Sequence, residues 1–240
     1  MIANSFIWTD LSTYDVKKSC SFYSKVFGWD FTDFEGYSVA LAKNDFSNEI
    51  VGLYETPPFF QKIKMPHFWM NYVQVDNALE CAQKAGNLGG KIEIEKAEFY
   101  GGNIALIRDP LGAGFTVYDG NLLKKNQGGE TPHVIGRELH VSDCDKAIEF
   151  YSSLFGWSFQ QNGNGDFEVR GTSETSIVLR EFSNDIKGKY EYWVTIFGVA
   201  DLKNYGERVI SNGGSLIMDE YDQVLLCDDS GEAFFYLRQV

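Results

Sequence analysis

The chain has 240 residues, a hydrophobic fraction of 44% and a formal net charge of −13. That charge repels phosphate backbones and anionic membrane surfaces, so neither nucleic acid nor a membrane is an expected partner. No apolar run reaches the roughly 18 residues that a bilayer span needs, while aromatics at 15% suit well-filled cores or a flat organic ligand.

The opening segment "MIANSFIWTDL" has no basic region ahead of an apolar stretch. It therefore reads as a first strand over 5–13 and not as a signal peptide. A helix over 15–27 follows. Asp15 is placed to accept from its first turn. Val16, Cys20, Tyr23 and Phe27 fall at helical spacing. Gly28 supplies the left-handed position that ends it. Strands are expected near 29–34, 37–43 and 49–54, followed by the proline-containing connection "ETPPFFQKIKMP". A strand over 67–75, a helix over 77–87 and three strands to Tyr118 complete the first half.

The segment "NLLKKNQGGETP" is polar and glycine-rich and reads as a linker. Beyond it the pattern returns. "FYSKVFGWDF" from Phe22 reappears as "FYSSLFGWSF" from Phe150, with Asp143 as the cap and Gly156 as the stop. "VDNALECAQKAGNLGGKI" from Val75 matches "VADLKNYGERVISNGGSLI" from Val199, and "RDPLGAGFTVY" from Arg108 matches "CDDSGEAFFYL" from Cys227. The halves therefore read as a tandem duplication, each a pair of βαβββ units. Domain boundaries are set at 1–120 and 133–240, with a linker at 121–132. Cys20, Cys81, Cys144 and Cys227 form no C-x-x-C pair, so reduced thiols and a cytoplasmic location are expected.

"FYSKVFGW", "FYSSLFGW", "RDPLGAGF" and the "VDNA" helix entry together resemble the vicinal oxygen chelate superfamily, the group of glyoxalase I, bleomycin-resistance proteins and extradiol dioxygenases. The resemblance covers nearly the whole chain. It is nearest to two-domain members, through "WTDL" at Trp8 and "GREL" at Gly136. It implies an α+β fold: four βαβββ units forming two glyoxalase-like domains, with cupped, curved mixed sheets and covering helices. It also implies a ligand cavity inside each cup. The duplicated aromatic decamer then belongs to the core.

Metal-dependent members of that family place His, Glu or Gln ligands on the first and last strands of the units. The matching positions here are Trp8, Gly52, Met70, Thr116, Gly136, Val178, Val194 and Phe235, which offer no imidazole or carboxylate. His67, His133 and His140 form no metal-binding spacing. No metal and no other cofactor is expected. "GNLGG" and "SNGG" end helices instead of starting them, so they do not read as phosphate cradles.

Strand alternation assigns the ligand face. In the first half it carries Trp8, Asp10, Ser12, Met70, Tyr72, Gln74, Thr116 and Tyr118. In the second it carries Gly136, Glu138, His140, Val194, Ile196 and Phe235. The ligand-binding candidates are Trp8, Asp10, Met70, Tyr72, Thr116, Tyr118, Glu138, His140 and Phe235. Glu138 and His140, at i and i+2 and so roughly 6–7 Å apart along the strand, are the catalytic candidates as acid and base. The competing reading makes Asp10 and Glu138 structural acids, with Arg137, Arg170 and Arg180 available as partners. Three functions stay open: a metal-independent protein binding a small organic molecule, aromatic or, through the acidic surface, cationic; a metal-independent lyase, isomerase or hydroxylase-like enzyme; and a structural or regulatory protein with filled cavities. The chain is expected to be a monomer or homodimer.

Overall fold

A computed structural model describes residues 4–43, 45–124, 128–129, 132–170 and 176–240. Residues 125–127 and 130–131 of the expected linker lie outside the described residues.

In chain order the elements begin with β1 (Ser5–Thr13), α1 (Val16–Phe27), β2 (Asp30–Phe34), β3 (Tyr37–Ala42) and β4 (Asp45–Glu55). The short α2 (Pro58–Lys62) leads to β5 (Phe68–Gln74), α3 (Ala78–Asn87), β6 (Lys91–Phe99), β7 (Gly102–Arg108) and β8 (Gly114–Tyr118). The second half starts with β9 (His133–Val141), α4 (Cys144–Phe155), β10 (Ser158–Gln161), β11 (Phe167–Arg170) and β12 (Ser176–Glu181). Then come α5 (Asn184–Lys187), β13 (Tyr192–Val199), α6 (Leu202–Ser211), β14 (Ser215–Asp219), β15 (Gln223–Cys227) and β16 (Phe234–Gln239).

The helices begin and end where the local chemistry requires. Asp15 accepts from the Lys18 N–H and Asp143 from the Lys146 N–H. Asn77 and Asp201 cap α3 and α6 in the same way. Gly28 and Gly156 take φ of 76° and 73°, the left-handed conformation open to glycine at little cost.

The strands form two eight-stranded sheets, ordered β2-β3-β4-β1-β5-β8-β7-β6 and β10-β11-β12-β9-β13-β16-β15-β14. The expected βαβββ units are present, but the expected cupped, curved sheets are not. Closing a sheet requires its end strands to meet and pair. Here β2 and β6 stand at opposite ends of one order, and β10 and β14 at opposite ends of the other. Each sheet is open, neither closed nor strongly curled.

Two compact units divide the chain. One comprises Met1–Trp8, Asn71–Lys124 and Gly136–Val194; the other comprises Thr9–Met70, Lys125–Ile135 and Thr195–Val240. The first unit holds a core of Val73, Phe115, Val117, Leu139, Phe150, Phe155 and their neighbours, with α3 and α4. The second holds a core of Leu11, Phe22, Phe27, Trp69, Phe197 and Phe235, with α1 and α6.

The duplicated decamer supplies the aromatic centre of each core. In the first unit Tyr151 stacks on Trp157 at 5.7 Å, and its hydroxyl donates to Asp109 Oδ2 at 3.0 Å. Asp109 Oδ1 accepts from the N–H groups of Leu111, Gly112 and Ala113, fixing the turn before β8. In the second unit Tyr23 stacks on Trp29 at 5.9 Å and donates to Asp228 Oδ2 at 3.3 Å. The tyrosine of each decamer thus ties its helix to the turn of a "D-x-x-G" motif from the other half of the sequence. Burial, then the nearby aspartate, pushes both tyrosine hydroxyls well above their ordinary range.

Candidate functional site

Side-chain alternation on β9 sends Leu139 and Val141 into the core and leaves Glu138 and His140 on the opposite face. β12 runs parallel to β9, with Val178 opposite Glu138 and Arg180 opposite His140. This register assembles a buried polar cluster. His140 Nε2 lies 2.7 Å from Glu138 Oε1, which also accepts from Arg180 NH1 at 3.1 Å. A carboxylate is acceptor-only, so Nε2 carries the proton. His140 Nδ1 faces the Tyr192 hydroxyl at 3.4 Å. Arg180 Nε is 3.4 Å from Asp166 Oδ1, and its guanidinium lies over the Phe182 ring. Glu138 and His140 are each 1% exposed.

Burial pushes the Glu138 carboxyl up, but the His140 hydrogen bond and the charges of His140 and Arg180 outweigh it. The group is held below its ordinary range. Burial, reinforced by the charges of Glu138 and Glu191, pushes the Tyr192 hydroxyl up to about 12. The cluster is an ionised carboxylate satisfied by an imidazole and a guanidinium. Of the three arginines considered as partners, Arg180 reaches it.

Arg137 lies on the core side of β9. It donates to Asn71 Oδ1 at 2.7 Å and to the Trp8 carbonyl at 3.4 Å, and it covers the Phe6 ring. Burial pulls its guanidinium down to about 9.

The second unit has a different cluster at the corresponding positions of β1. Asp10 is fully buried and accepts from the Tyr37 hydroxyl at 2.6 Å. Ser12 and Thr56 share a hydroxyl hydrogen bond of 2.8 Å. Burial and then the Asp10 charge push the Tyr54 hydroxyl up, against a hydrogen bond with Ser12. Asp10 pairs with Gly52 across the parallel β1–β4 ladder. A Cβ at Gly52 would overlap the Tyr37 hydroxyl and the Asp10 carboxylate. Gly52 is therefore required by close approach and not by backbone conformation. Gly52→Ala is expected to cost about 1–3 kcal/mol through overpacking. Tyr37→Ala in the same chain should recover part of that loss, because it removes the overlapping ring and hydroxyl and leaves only the Asp10 carboxylate in the way. Urea denaturation of both single variants and the double variant measures this coupling.

The remaining first-half candidates divide between the units. In the first unit Tyr72 pairs with Thr116, and Gln74 with Tyr118, on the face opposite core residues Val73 and Val117. Tyr72 stacks on Phe99 at 5.9 Å, and the Tyr118 hydroxyl donates to the Tyr100 carbonyl at 2.6 Å. Trp8 is buried in this unit, and Met70 in the other.

Phe235 stands apart from the rest. It packs in the second core against Tyr23, Phe27 and Phe197. The reason is one extra residue in the turn before β16. Asp109 N–H bonds to the Ala113 carbonyl, but Asp228 N–H bonds to the Ala233 carbonyl. Phe235 therefore matches Phe115, and Tyr236 takes the place of Thr116: Leu106 pairs with Thr116, and Leu225 with Tyr236. A one-residue shift moves a strand side chain to the other face.

The divalent metal implied by the family resemblance does not fit these residues. Trp8, Thr116 and Gly136 bring no imidazole or carboxylate, and Tyr236 brings a phenol. Glu138 is engaged by a guanidinium. Among the described residues there is no group of three or more His, Cys, Asp or Glu able to hold a metal ion.

A family model described as Glyoxalase/Bleomycin resistance protein/Dioxygenase superfamily matches residues 5–117 and 132–225. "Putative glyoxylase CFP32" of Mycobacterium bovis is 25% identical over 252 residues, covering 96% of this chain and 93% of that protein. "Anthracycline biosynthesis protein DnrV" of Streptomyces peucetius is 25% identical over 236 residues, covering 87% and 82%. Among solved structures, the 2,3-dioxygenase LapB from Pseudomonas sp. KL28 superposes with a TM-score of 0.67 at 10% identity, covering 100% of this chain and 94% of the other. The Mn(II)-bound glyoxalase from Novosphingobium aromaticivorans gives a TM-score of 0.64 at 11% identity, covering 99% and 82%. At these identities the two structures establish shared fold.

Proposed function

This chain belongs to the Glyoxalase/Bleomycin resistance protein/Dioxygenase superfamily, and from that premise we propose that it binds a small organic molecule without the divalent ion of the family's metal-dependent members. The supporting observation is the donor set. Trp8, Thr116 and Gly136, the positions that the resemblance matches to metal ligands, bring no imidazole or carboxylate, and Glu138, two residues beyond Gly136, is committed to Arg180 and His140. The residues we favour for binding lie in the first unit, where the buried Trp8, Tyr72, Thr116 and Tyr118 combine aromatic area with hydroxyl groups. Sites of this composition orient flat organic molecules by stacking and a few hydrogen bonds. Asp10 of the other unit holds a Tyr37 hydroxyl, and we assign it a structural role.

A metal-independent enzyme is the second reading, and the Glu138–His140 contact favours it. Glu138 fixes the imidazole with its proton on Nε2, which leaves Nδ1 towards the Tyr192 hydroxyl. A base so oriented could move a proton, as acid–base catalysis requires. We further propose a cytoplasmic protein. The four cysteines are free, and among the described residues no helix is long and apolar enough to cross a membrane.

Elemental analysis of the protein, purified and dialysed without chelator, tests the reading. Far less than one transition metal per chain is expected. Stoichiometric zinc, nickel, iron or manganese would overturn it.

A further inference from the structure

Helices α3 and α6 are duplicates of equal length, each starting from a capping Asn77 or Asp201. Their fifth residues are Ala82 and Gly206. Ala82 is fully buried in the first core. Gly206 sits in a helix interior with no atom near the place where a Cβ would project. Glycine there is disfavoured relative to alanine. Neither a left-handed backbone nor a steric conflict within the chain calls for it. Glycine also serves where a ligand must approach the backbone closely.

A cleft of about 800 Å³ opens over Gly206, between α6 and strands β14 and β15 of the second unit. Its walls are Leu202, Ile210, Leu216, Val224 and Leu226. Ile210 and Leu216 are 48% and 51% exposed, so the wall is apolar and open. The volume is that of a small-molecule site. Glu207, Asp219 and Lys203 stand at its edge, two carboxylates to one ammonium. Val224 and Leu226 share the core-facing side of β15 with Phe235 and Leu237, so the cleft is on the opposite face from Tyr236. It is separate from the sheet-face site proposed above.

We propose that this cleft is a second binding site, taking one small amphipathic cation: an apolar body seated on Gly206 between Ile210 and Leu216, with an amine near Glu207 and Asp219. The probe is monodansylcadaverine, a naphthalene sulfonamide with a primary ammonium. Saturable binding with enhanced emission is expected. Gly206→Ala should raise Tm by about 2–4 °C, because it improves the helix. Gly206→Leu should fill the cleft and weaken the probe at least tenfold. Leu216→Ser, at an exposed position that does not endanger folding, should weaken it several-fold. Glu207→Gln with Asp219→Asn should weaken the probe but not its neutral N-propyl analogue. Absence of saturable binding to the native chain would overturn the proposal, and so would equal affinity in Leu216→Ser. A dimer that Leu216→Ser dissociates would assign the cleft to a second copy and overturn it as well.

Discussion

Arg180→Met is expected to destabilise the protein by about 3–5 kcal/mol at neutral pH, as when one partner of a buried ion pair is removed. Glu138 would remain as a buried carboxylate with His140 but without its guanidinium. The loss should depend on pH with a definite sign. Glu138 is held below its ordinary 4.5 in the folded chain. Its contribution is therefore present above the unfolded value and lost as pH falls through the folded one. Without Arg180 the folded value rises, so the gap between native and variant should be widest near neutrality. It should narrow below about pH 4.5, where a protonated carboxyl needs no cation. Chemical denaturation of both proteins between pH 3 and 7 measures it. A pH-independent gap would mean that Arg180 acts through its packing on Phe182. Replacing Glu138, His140 and Arg180 together by apolar residues should cost less than Arg180→Met alone, since the buried carboxylate is gone and only the part-exposed Asp166 loses a partner.

The parts of this molecule legible in its sequence are those fixed by local chemistry. Asp15 and Asp143 cap, Gly28 and Gly156 terminate, and the aromatic spacing between them makes one buried stripe. Alternation alone put Glu138 and His140 on one face, and they do meet. Their cluster was only partly legible, because Arg180 is 42 residues further along and reaches Glu138 through a parallel register that no short-range pattern encodes. Tyr37 and Tyr54 reach Asp10, Tyr192 reaches His140 and Asp166 reaches Arg180 through contacts between distant segments, which short-range patterns do not encode either. Phe235 shows how fragile face assignment is. Matching the two "D-x-x-G" turns without a gap hides the extra residue before β16, and one residue exchanges one face of the sheet for the other. Sheet curvature was inferred from resemblance, and strand periodicity contains no information on whether end strands meet.

Phe155→Ala should cost about 3–5 kcal/mol, the effect of deleting a buried aromatic ring and leaving a cavity. Its ring is 5% exposed and packs within 5.8 Å of Phe115 and 5.0 Å of Trp157, centre to centre. The location of the damage is as informative as its size. The core that contains Phe155 draws Val73, Ala105, Ile107, Phe115 and Val117 from the first half of the sequence. Phe27 is its duplicate, and the core around Phe27 draws Phe197, Leu226, Phe235 and Leu237 from the second half. Hydrogen exchange should therefore show Phe155→Ala loosening amides of β7 and β8 while leaving β15 and β16 protected. Phe27→Ala should do the reverse. If each variant instead loosened strands only within its own half, residues 1–120 and 133–240 would be the cooperative units. The tyrosine–aspartate bonds favour the first outcome. Tyr151 reaches back to Asp109 and Tyr23 forward to Asp228, so each duplicated helix is fastened to a turn supplied by the other half of the chain.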